Sequence, residues 1–213
     1  ILAAYPDAIV MDRLDGPVLG ARCRSGADPE ACARLGRLAA ALHRAPLPAL
    51  PGLPRLETWF ADLFALRIAP ACPPALRRDM GRATMLARAM LSDGPPVRPL
   101  HGDLHHDNVI ETAQGAVALD AKGVLADPAY ELANAMRNPD GCAPLLQDPA
   151  AMRARLALMA DHAGLCPRRL AGWSAAKCAL SIAWQSGGTL ETTDEDTVLA
   201  ILLGIAREHG WPQ

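Results

Sequence analysis

Prolines separate this sequence into segments that are each about as long as a helix. Asp28, Pro29 and Glu30 form a helix-start signal, in which a capping carboxylate precedes a first-turn proline and a first-turn acid. The apolar residues after it recur every three or four positions as far as His43, which is the pattern of one buried helix face. The stretch APLPALPGLP, residues 45–54, is too rich in proline for regular structure, so we interpret it as a stiff connector.

The remaining segments predict a mainly α fold with a small β element. Further helices are predicted at residues 56–68, 74–91, 128–137, 149–163, 167–185 and 194–209. Residues 8–11 read as one short strand that ends in a turn. Two apolar runs, residues 109–110 and 116–119, flank the turn sequence ETAQG and predict a hairpin.

Composition narrows the possible partners. The formal net charge is -2 and the basic residues are scattered, so we expect no nucleic-acid partner. The apolar run at residues 198–203 is far shorter than the roughly 18 residues that cross a bilayer, so we expect no membrane span. The six cysteines form no C-x-x-C pair and the start lacks signal-peptide features, which favours a cytoplasmic protein. The first residue is not Met, which suggests a fragment of a longer chain, and no pattern indicates an oligomeric state.

The stretch HGDLHHDNVI, at positions 101–110, concentrates the groups that carry chemistry. Dense histidine and aspartate clusters bind zinc, so one interpretation is a metal-dependent hydrolase that uses the three histidines. These histidines are His101, His105 and His106. Against it, His101, Asp103 and His105 alternate as on an extended strand, and Asn108 is an oxygen donor that suits magnesium better than zinc.

A phosphoryl-transfer site is the stronger interpretation of the same stretch. This chemistry needs a carboxylate that orients or deprotonates the attacking hydroxyl, and oxygen ligands that hold magnesium against the phosphates. Asp103, four intervening residues and Asn108 have the spacing of the catalytic loop in protein-kinase-like enzymes. Asp120 ends the run AVALD, where a strand would deliver a second carboxylate to the metal.

Two stretches of the sequence resemble a known family. HGDLHHDNVI, followed by ALDAKGVLADPAYELANAMRNP, resembles the aminoglycoside phosphotransferase superfamily, and within it the streptomycin 6-kinase and hydroxyurea phosphotransferase group. AIVMDRLDG is similar to the hinge of this family and WSAAKCALSIAW to its late helix, so the resemblance covers the chain, weakly outside residues 98–139. It implies a protein-kinase-like fold and ATP-dependent phosphorylation of a hydroxyl on a small molecule, with Mg²⁺ as the metal.

The resemblance also implies roles for individual residues. Asp103 would be the catalytic base, His101 would brace the loop, and Asn108 and Asp120 would bind Mg²⁺. Backbone groups of three hinge residues would face adenine; they are Asp12, Arg13 and Leu14. Supporting roles fall to His105, Lys122 and Asp127. Asp127 also fits a simpler role, an N-cap worth about 1 kcal/mol for the predicted helix at 128–137.

Part of the nucleotide clamp is not found in the sequence. Such kinases need a phosphate-covering loop and an upstream lysine, whereas Lys122 and Lys177, the two lysines of the chain, both follow Asp103. We therefore expect residues 1–20 to be the end of an N-terminal lobe and the hinge, with most of that lobe absent. Residues 21–213 would be the helical C-terminal lobe, with its catalytic loop at 101–108 and its metal-binding strand end at 120. Alone, this chain is expected to have little or no activity.

The substrate is less well defined than the reaction. Aminoglycosides are polycations, so we expect an acidic pocket formed partly by the late helices. Its candidate residues are Glu191, Asp194, Glu195 and Trp184. The acids also fit the solvated start of the last helix, and streptomycin, hydroxyurea or another hydroxyl-bearing metabolite all stay open. Besides the kinase and the hydrolase, a third hypothesis is a non-catalytic binding module descended from a kinase.

Overall fold

Helices make up most of the protein. The computed structural model describes residues 2–45, 50 and 52–212, so residues 46–49 and 51 of the predicted connector lie outside the described residues. The helices are α1 (Gly20–Arg24), α2 (Asp28–Arg44), α3 (Leu56–Ala65), α4 (Pro74–Ser92), α5 (Ala143–Leu146), α6 (Pro149–Ala163), α7 (Pro167–Gln185) and α8 (Asp196–Glu208). None of the helices in these residues is long and apolar enough to cross a membrane.

Short strands pair two by two. The strands are β1 (Ala3–Tyr5), β2 (Ala8–Val10), β3 (Arg67–Ile68), β4 (Arg98–Leu100), β5 (Val109–Thr112), β6 (Gly115–Ala118), β7 (Val124–Ala126) and β8 (Thr189–Leu190). The antiparallel pairs are β1–β2, β4–β7 and β5–β6, whereas β3 and β8 are parallel. The predicted hairpin is β5–β6, but the expectation of one small β element is too simple, because the described residues form four two-stranded sheets.

Helix α7 lies at the centre of the helical part. All of its residues from Leu170 to Ala183 are buried, and α3, α4 and α8 pack around it. A helix that is covered on every side has no polar face, so its polar side chains must find partners inside the protein. Ser174 Oγ donates to the carbonyl of Leu170 at 2.7 Å, and Lys177 Nζ donates to Ser181 Oγ at 2.8 Å.

Helices α2 and α6 pack closely against each other. A Cβ atom on Gly36 would lie 2.8 Å from Cβ of His162, so glycine permits this approach of α2 to α6. The apolar face of α6 that is buried carries Met152, Leu156, Met159, Ala160 and Ala163. The predicted N-cap role of Asp28 is wrong, since Ala27 holds that position and the buried Asp28 carboxylate pairs with the Arg155 guanidinium.

Two predicted helices have different bounds. The segment 128–137 forms two 3₁₀ turns, Pro128–Leu132 and Asn134–Arg137, rather than one α-helix. The guanidinium of Arg155 donates to the carbonyl of Ala135 at 2.9 Å. This carbonyl is therefore hydrogen-bonded to a side chain and does not need the backbone partner that an α-helix would supply. Helix α3 ends at Ala65, before the predicted residue 68, because the next residues enter the parallel pair β3–β8.

Candidate active site

The stretch HGDLHHDN is an irregular loop that connects β4 to β5. It ends in a 3₁₀ turn, His106–Asn108, and residues 101–105 belong to no strand, although the backbone of His105 is extended. Gly102 has a φ of 83°, and a Cβ atom there would lie 3.0 Å from the Trp59 ring and 3.1 Å from the Val124 side chain. The close approach and the left-handed backbone both require glycine, which fixes the start of the loop.

Glu131 supports this loop from the protein interior. Its side chain is 1% exposed, and its two carboxylate oxygens accept hydrogen bonds from the backbone amides of His101 and Gly102, each at 3.1 Å. His43 Nε2 lies 3.3 Å from one of the same oxygens. A carboxylate that is hydrogen-bonded at both oxygens can be buried, and here it holds the loop to the 3₁₀ turn Pro128–Leu132.

The Asp103 carboxylate is held in place by two asparagines. Asn134 Nδ2 donates to Asp103 Oδ1 at 2.7 Å. Asn108 Nδ2 donates to the Asp103 carbonyl at 2.9 Å and approaches Oδ2 at 3.4 Å. The amide nitrogen of Asn108 therefore faces Asp103, so its carbonyl oxygen is the atom that can serve a cation.

The ring of His101 links the loop to the segment that ends at Asp120. His101 Nδ1 accepts from the amide of Asp103 at 3.3 Å, and His101 Nε2 donates to the carbonyl of Leu119 at 2.9 Å. The amides of Lys122 and Gly123 both donate to the carbonyl of His101, at 2.9 and 3.0 Å. These contacts place the Asp120 segment beside the loop that carries Asp103.

Asp120 is an exposed carboxylate on an unusual backbone. Its φ is 61°, a left-handed value that aspartate adopts more readily than most residues and that often marks a functional position. Lys122 Nζ donates to Asp120 Oδ2 at 2.7 Å, and this hydrogen bond and charge lower the pKa of Asp120 and raise the pKa of Lys122. Asp120 is therefore ionised at neutral pH and pairs with Lys122.

The other two predicted supporting residues have structural partners. His105 Nδ1 accepts from the amide of Asp107 at 3.3 Å and caps the 3₁₀ turn, and burial lowers the pKa of His105. Asp127 is the predicted N-cap, since it accepts from the amide of Ala129 at 2.9 Å. The other oxygen of Asp127 accepts from Trp173 Nε1 at 2.7 Å and from Arg169, so it links the turn to α7 rather than to the catalytic loop.

The three histidines do not converge on one metal position. His101 and His105 use their ring nitrogens to hold the backbone of the loop, and His106 points into the core, where burial lowers its pKa well below the ordinary value. Within the described part of the chain, no set of three metal-binding side chains within 4.8 Å includes His101 or His105. This arrangement does not support the histidine-based hydrolase.

The predicted hinge residues precede a segment that pairs with the strand after the loop 101–108. Asp12 and Arg13 are exposed and Leu14 is half-buried, in an irregular stretch after β2. Immediately afterwards, the amide of Leu19 donates to the carbonyl of Val109 at 2.8 Å, and the amide of Glu111 donates to the carbonyl of Pro17 at 2.9 Å. The segment after the predicted hinge residues is therefore hydrogen-bonded to β5, the strand that follows the loop.

A cavity of about 480 Å³ lies next to the supports of Asp103. Arg137 lines it and donates to Asn134 Oδ1 at 3.4 Å, so two hydrogen bonds connect the cavity wall to the Asp103 carboxylate. The polar residues around it include Asp140, Gln185, Asp194 and Glu195. The cavity is therefore acidic in part, with one arginine in its wall.

The four predicted substrate residues fall into different environments. Glu195 is bound by Arg137 and by Gln185 Nε2 at 2.9 Å; burial alone would raise the pKa of Glu195, but the Arg137 contact brings it below the ordinary value. Asp194 is exposed at the cavity, whereas Glu191 is exposed and does not line it. Trp184 is 42% exposed, donates to Asp62 at 2.8 Å and lines a different cavity. The structure does not bring the four together, and Glu195 is engaged in an ion pair.

Sequence reasoning missed three residues that position Asp103 and its loop. Glu131 and Asn134 lie inside the stretch DPAYELANAM, and Arg137 follows closely. Their spacing could have indicated this role, since polar residues recur at positions 131, 134 and 137 in an otherwise apolar segment. Polar side chains on a buried turn need hydrogen-bond partners inside the protein.

Comparisons with known proteins agree with this geometry. The family model described as aminoglycoside/hydroxyurea antibiotic resistance kinase matches residues 2–188. The chain belongs to this family. It is therefore a member of a family of small-molecule phosphotransferases, as the resemblance in its motifs predicts.

Two relatives are similar to the chain in sequence, and one solved structure is similar to it in fold. Streptomycin 3''-kinase of Klebsiella pneumoniae is 35% identical over 192 residues, which are 88% of this chain and 70% of that protein. Streptomycin 6-kinase of Streptomyces griseus is 27% identical over 179 residues, which are 83% of this chain and 57% of that protein. LicA in complex with AMP is similar in fold, with a TM-score of 0.57 at 13% identity, over 87% of this chain and 65% of LicA. The kinase-like fold is thus confirmed, and the chain spans 57 to 70% of the length of these proteins.

Proposed function

We propose that the protein to which this chain belongs transfers the γ-phosphate of ATP to a hydroxyl group of an aminoglycoside-type antibiotic such as streptomycin. The main support is the arrangement of Asp103, whose Oδ1 is fixed by Asn134 while Asn108 lies against the same residue. A carboxylate that is held in one orientation is suited to accept the proton of an attacking hydroxyl. The membership in a family of antibiotic resistance kinases supports the same reaction.

In this proposal, Asn108 and Asp120 hold Mg²⁺. Their carbonyl and carboxylate oxygens are the ligands that Mg²⁺ prefers, and His101 keeps the two segments together through the carbonyl of Leu119. Bound Mg²⁺ would neutralise charge on the phosphate oxygens. Lys122, which now pairs with Asp120, would turn towards a phosphate when the metal takes its place.

The nucleotide base would lie against the hinge. Backbone groups of Asp12, Arg13 and Leu14 are our candidates for contacts to adenine, and LicA, a fold relative, is known in complex with AMP. Residues 1–20 would then correspond to the hinge with the end of an N-terminal lobe, and residues 21–213 to a helical C-terminal lobe. Because no lysine precedes Asp103, we expect this chain by itself to phosphorylate streptomycin slowly or not at all.

The acceptor would occupy the cavity beside Arg137. Exposed carboxylates at Asp140 and Asp194 can attract the cationic groups of an aminoglycoside, whereas Glu195 is neutralised by Arg137 and forms part of the wall. The earlier candidates Glu191 and Trp184 are not among the residues that line this cavity, so we leave them out of the proposed acceptor site.

The catalytic part of the proposal is tested by Asp103→Asn in the full protein. We expect kcat for streptomycin phosphorylation to fall by about 10²- to 10⁴-fold, the usual contribution of a general base. The matched control is Asp161→Asn, which changes an exposed carboxylate on α6 and should leave kcat unchanged. Equal activity of Asp103→Asn and the control would refute the role of Asp103, and absence of phosphorylation in the unmodified full protein would refute the acceptor.

The metal part has a separate test. Calorimetric titration with Mg-ATP should give magnesium-dependent binding that Asp120→Ala weakens at least about tenfold, a loss of about 1.4 kcal/mol. If Asp120→Ala binds Mg-ATP as tightly as the unmodified protein, Asp120 is not a metal ligand.

A further inference from the structure

A second group of possible metal ligands lies behind the catalytic loop, away from Asn108 and Asp120. We propose that four buried side chains bind one Zn²⁺ ion between α1, α2 and the loop. They are Cys23, Asp28, Cys32 and His106. This inference does not depend on the proposed kinase activity.

Three of the four side chains lie close to one another, and Cys32 contacts two of them. One ligand atom from each of Cys23, Asp28 and His106 lies within 4.8 Å of the other two. Cys32 Sγ lies 3.7 Å from Asp28 Oδ2 and 3.9 Å from His106 Nε2. In a tetrahedral zinc site with bonds of 2.0–2.3 Å, ligand atoms are about 3.3–3.8 Å apart, so the pairs within 4.8 Å would close by up to about 1.5 Å when the metal binds. Two sulfurs, one imidazole nitrogen and one carboxylate oxygen form a ligand set that Zn²⁺ accepts.

His106 lacks a strong hydrogen-bond partner. The side chain is fully buried, its Nδ1 has no hydrogen-bond partner, and the contact of Nε2 is to the sulfur of Cys32. Sulfur is a weak hydrogen-bonding group, and a buried polar atom without a partner is costly. A metal ion that binds one ring nitrogen would remove part of this cost.

The charges around the site are compatible with a cation. Arg155 pairs with Oδ1 of Asp28, which leaves Oδ2 on the side of Cys32. Burial raises the pKa of Cys23, and it raises the pKa of Cys32 to about 12, so both thiols carry protons before metal binds. When Zn²⁺ enters, each sulfur forms a bond to the metal and releases its proton to solvent. One divalent cation then replaces two protons, and the net charge of the cluster is unchanged.

An ion at this position would connect three elements. Cys23 is on α1, Asp28 and Cys32 are on α2, and His106 belongs to the 3₁₀ turn that ends at Asn108. The metal would thus fix the back of the loop whose front carries Asp103. Its role would be structural, because all four ligands are buried.

Cobalt substitution tests the proposal without measuring activity. Titration of the untagged, reduced full protein with Co²⁺ should produce a thiolate-to-cobalt absorption band that saturates at one ion per chain and disappears when Zn²⁺ is added. Co²⁺ bound at the oxygen ligands Asn108 and Asp120 gives no such band. Cys23→Ser should lose most of the band, whereas Cys166→Ser, which changes an exposed cysteine, should keep it. Absence of the band in the unmodified protein, or its loss in Cys166→Ser alone, would overturn the proposal.

A second measurement does not rely on variants that fold poorly. X-ray absorption of the zinc-loaded, unmodified protein should show two sulfur and two nitrogen or oxygen neighbours around the metal. A first shell of nitrogen and oxygen alone would overturn the assignment.

Discussion

Replacing Lys177 with methionine should make the protein more stable at neutral pH. Lys177 is 4% exposed on the central helix α7, and burial, with a contribution from the nearby charge of Arg137, lowers the pKa of Lys177 from 10.5 to about 8. Below pH 8 the amine is charged in both the folded and the unfolded chain, so the full cost of burying the charge opposes folding. Between pH 8 and 10.5 the unfolded chain binds more protons than the folded one, so the stability rises with pH in that window.

The size of the effect follows from the pKa shift and the lost contacts. The lowered pKa corresponds to a cost of about 3 kcal/mol at pH 7. Methionine has a similar length and no charge, but it loses the hydrogen bond to Ser181 and the contact of Nζ with the Trp184 ring, 4.7 Å from its centre. Those contacts contribute about 1–2 kcal/mol together, so the net gain should be about 1–2 kcal/mol.

Urea denaturation at several pH values between 7 and 10.5 provides the measurement. The gain for Lys177→Met should be largest at pH 7 and should be lost by pH 10.5, where the amine is neutral in the folded chain and only half charged in the unfolded chain. Lys122→Met is the control, because Lys122 is exposed and its replacement should give a small difference with no trend of this sign. A Lys177→Met protein that is less stable than the unmodified protein at pH 7, or whose gain is independent of pH, would refute the reasoning.

Three further substitutions test the supports of the candidate site. Asn134→Ala removes a hydrogen bond to the Asp103 carboxylate worth about 1.5–3 kcal/mol, so steady-state kinetics should show kcat about 10- to 100-fold lower with KM for ATP unchanged. Glu131→Gln places an NH₂ group against a backbone amide of the loop, and the free energy of unfolding measured in urea should fall by about 1–3 kcal/mol. Lys122→Met removes the hydrogen bond and charge that lower the pKa of Asp120, so an NMR titration should show the pKa of Asp120 rising towards its ordinary value. An unchanged value in any of the three would remove the corresponding support.

Most helices could be predicted because proline and apolar periodicity are local signals. Helix α6 occupies residues 149–163 and α7 residues 167–185, as the pattern predicts. The parallel pair β3–β8 could not be predicted, since its strands are two residues long and join positions 67 and 189, and pairing at that distance is set by packing. The two 3₁₀ turns between 128 and 137 depend likewise on distant partners such as Arg155.

The loop chemistry could be predicted in part because its motif is contiguous. The side chains that hold the loop come from another segment, and the sequence does not indicate which polar residue of 128–137 turns towards it. For Glu195 the sequence suggested a role that the structure does not support. An acid at the start of a helix is usually interpreted as a solvated or substrate-binding group. In the structure it pairs with Arg137, and this partner becomes apparent only when α8 packs beside α7.

The buried amine of Lys177 connects the stability of the fold to the candidate site. Its amine interacts electrostatically with Asp103 and Arg137, so the buried charge belongs to the surroundings of the candidate site. A buried charge that destabilises the fold is expected where function requires it. Lys177→Met should therefore raise the stability at pH 7 and lower kcat of the full protein about tenfold. A tenfold loss of kcat corresponds to about 1.4 kcal/mol less stabilisation of the transition state. If kcat is unchanged while stability rises, Lys177 has no role in the reaction, and the cost of its burial needs a structural explanation.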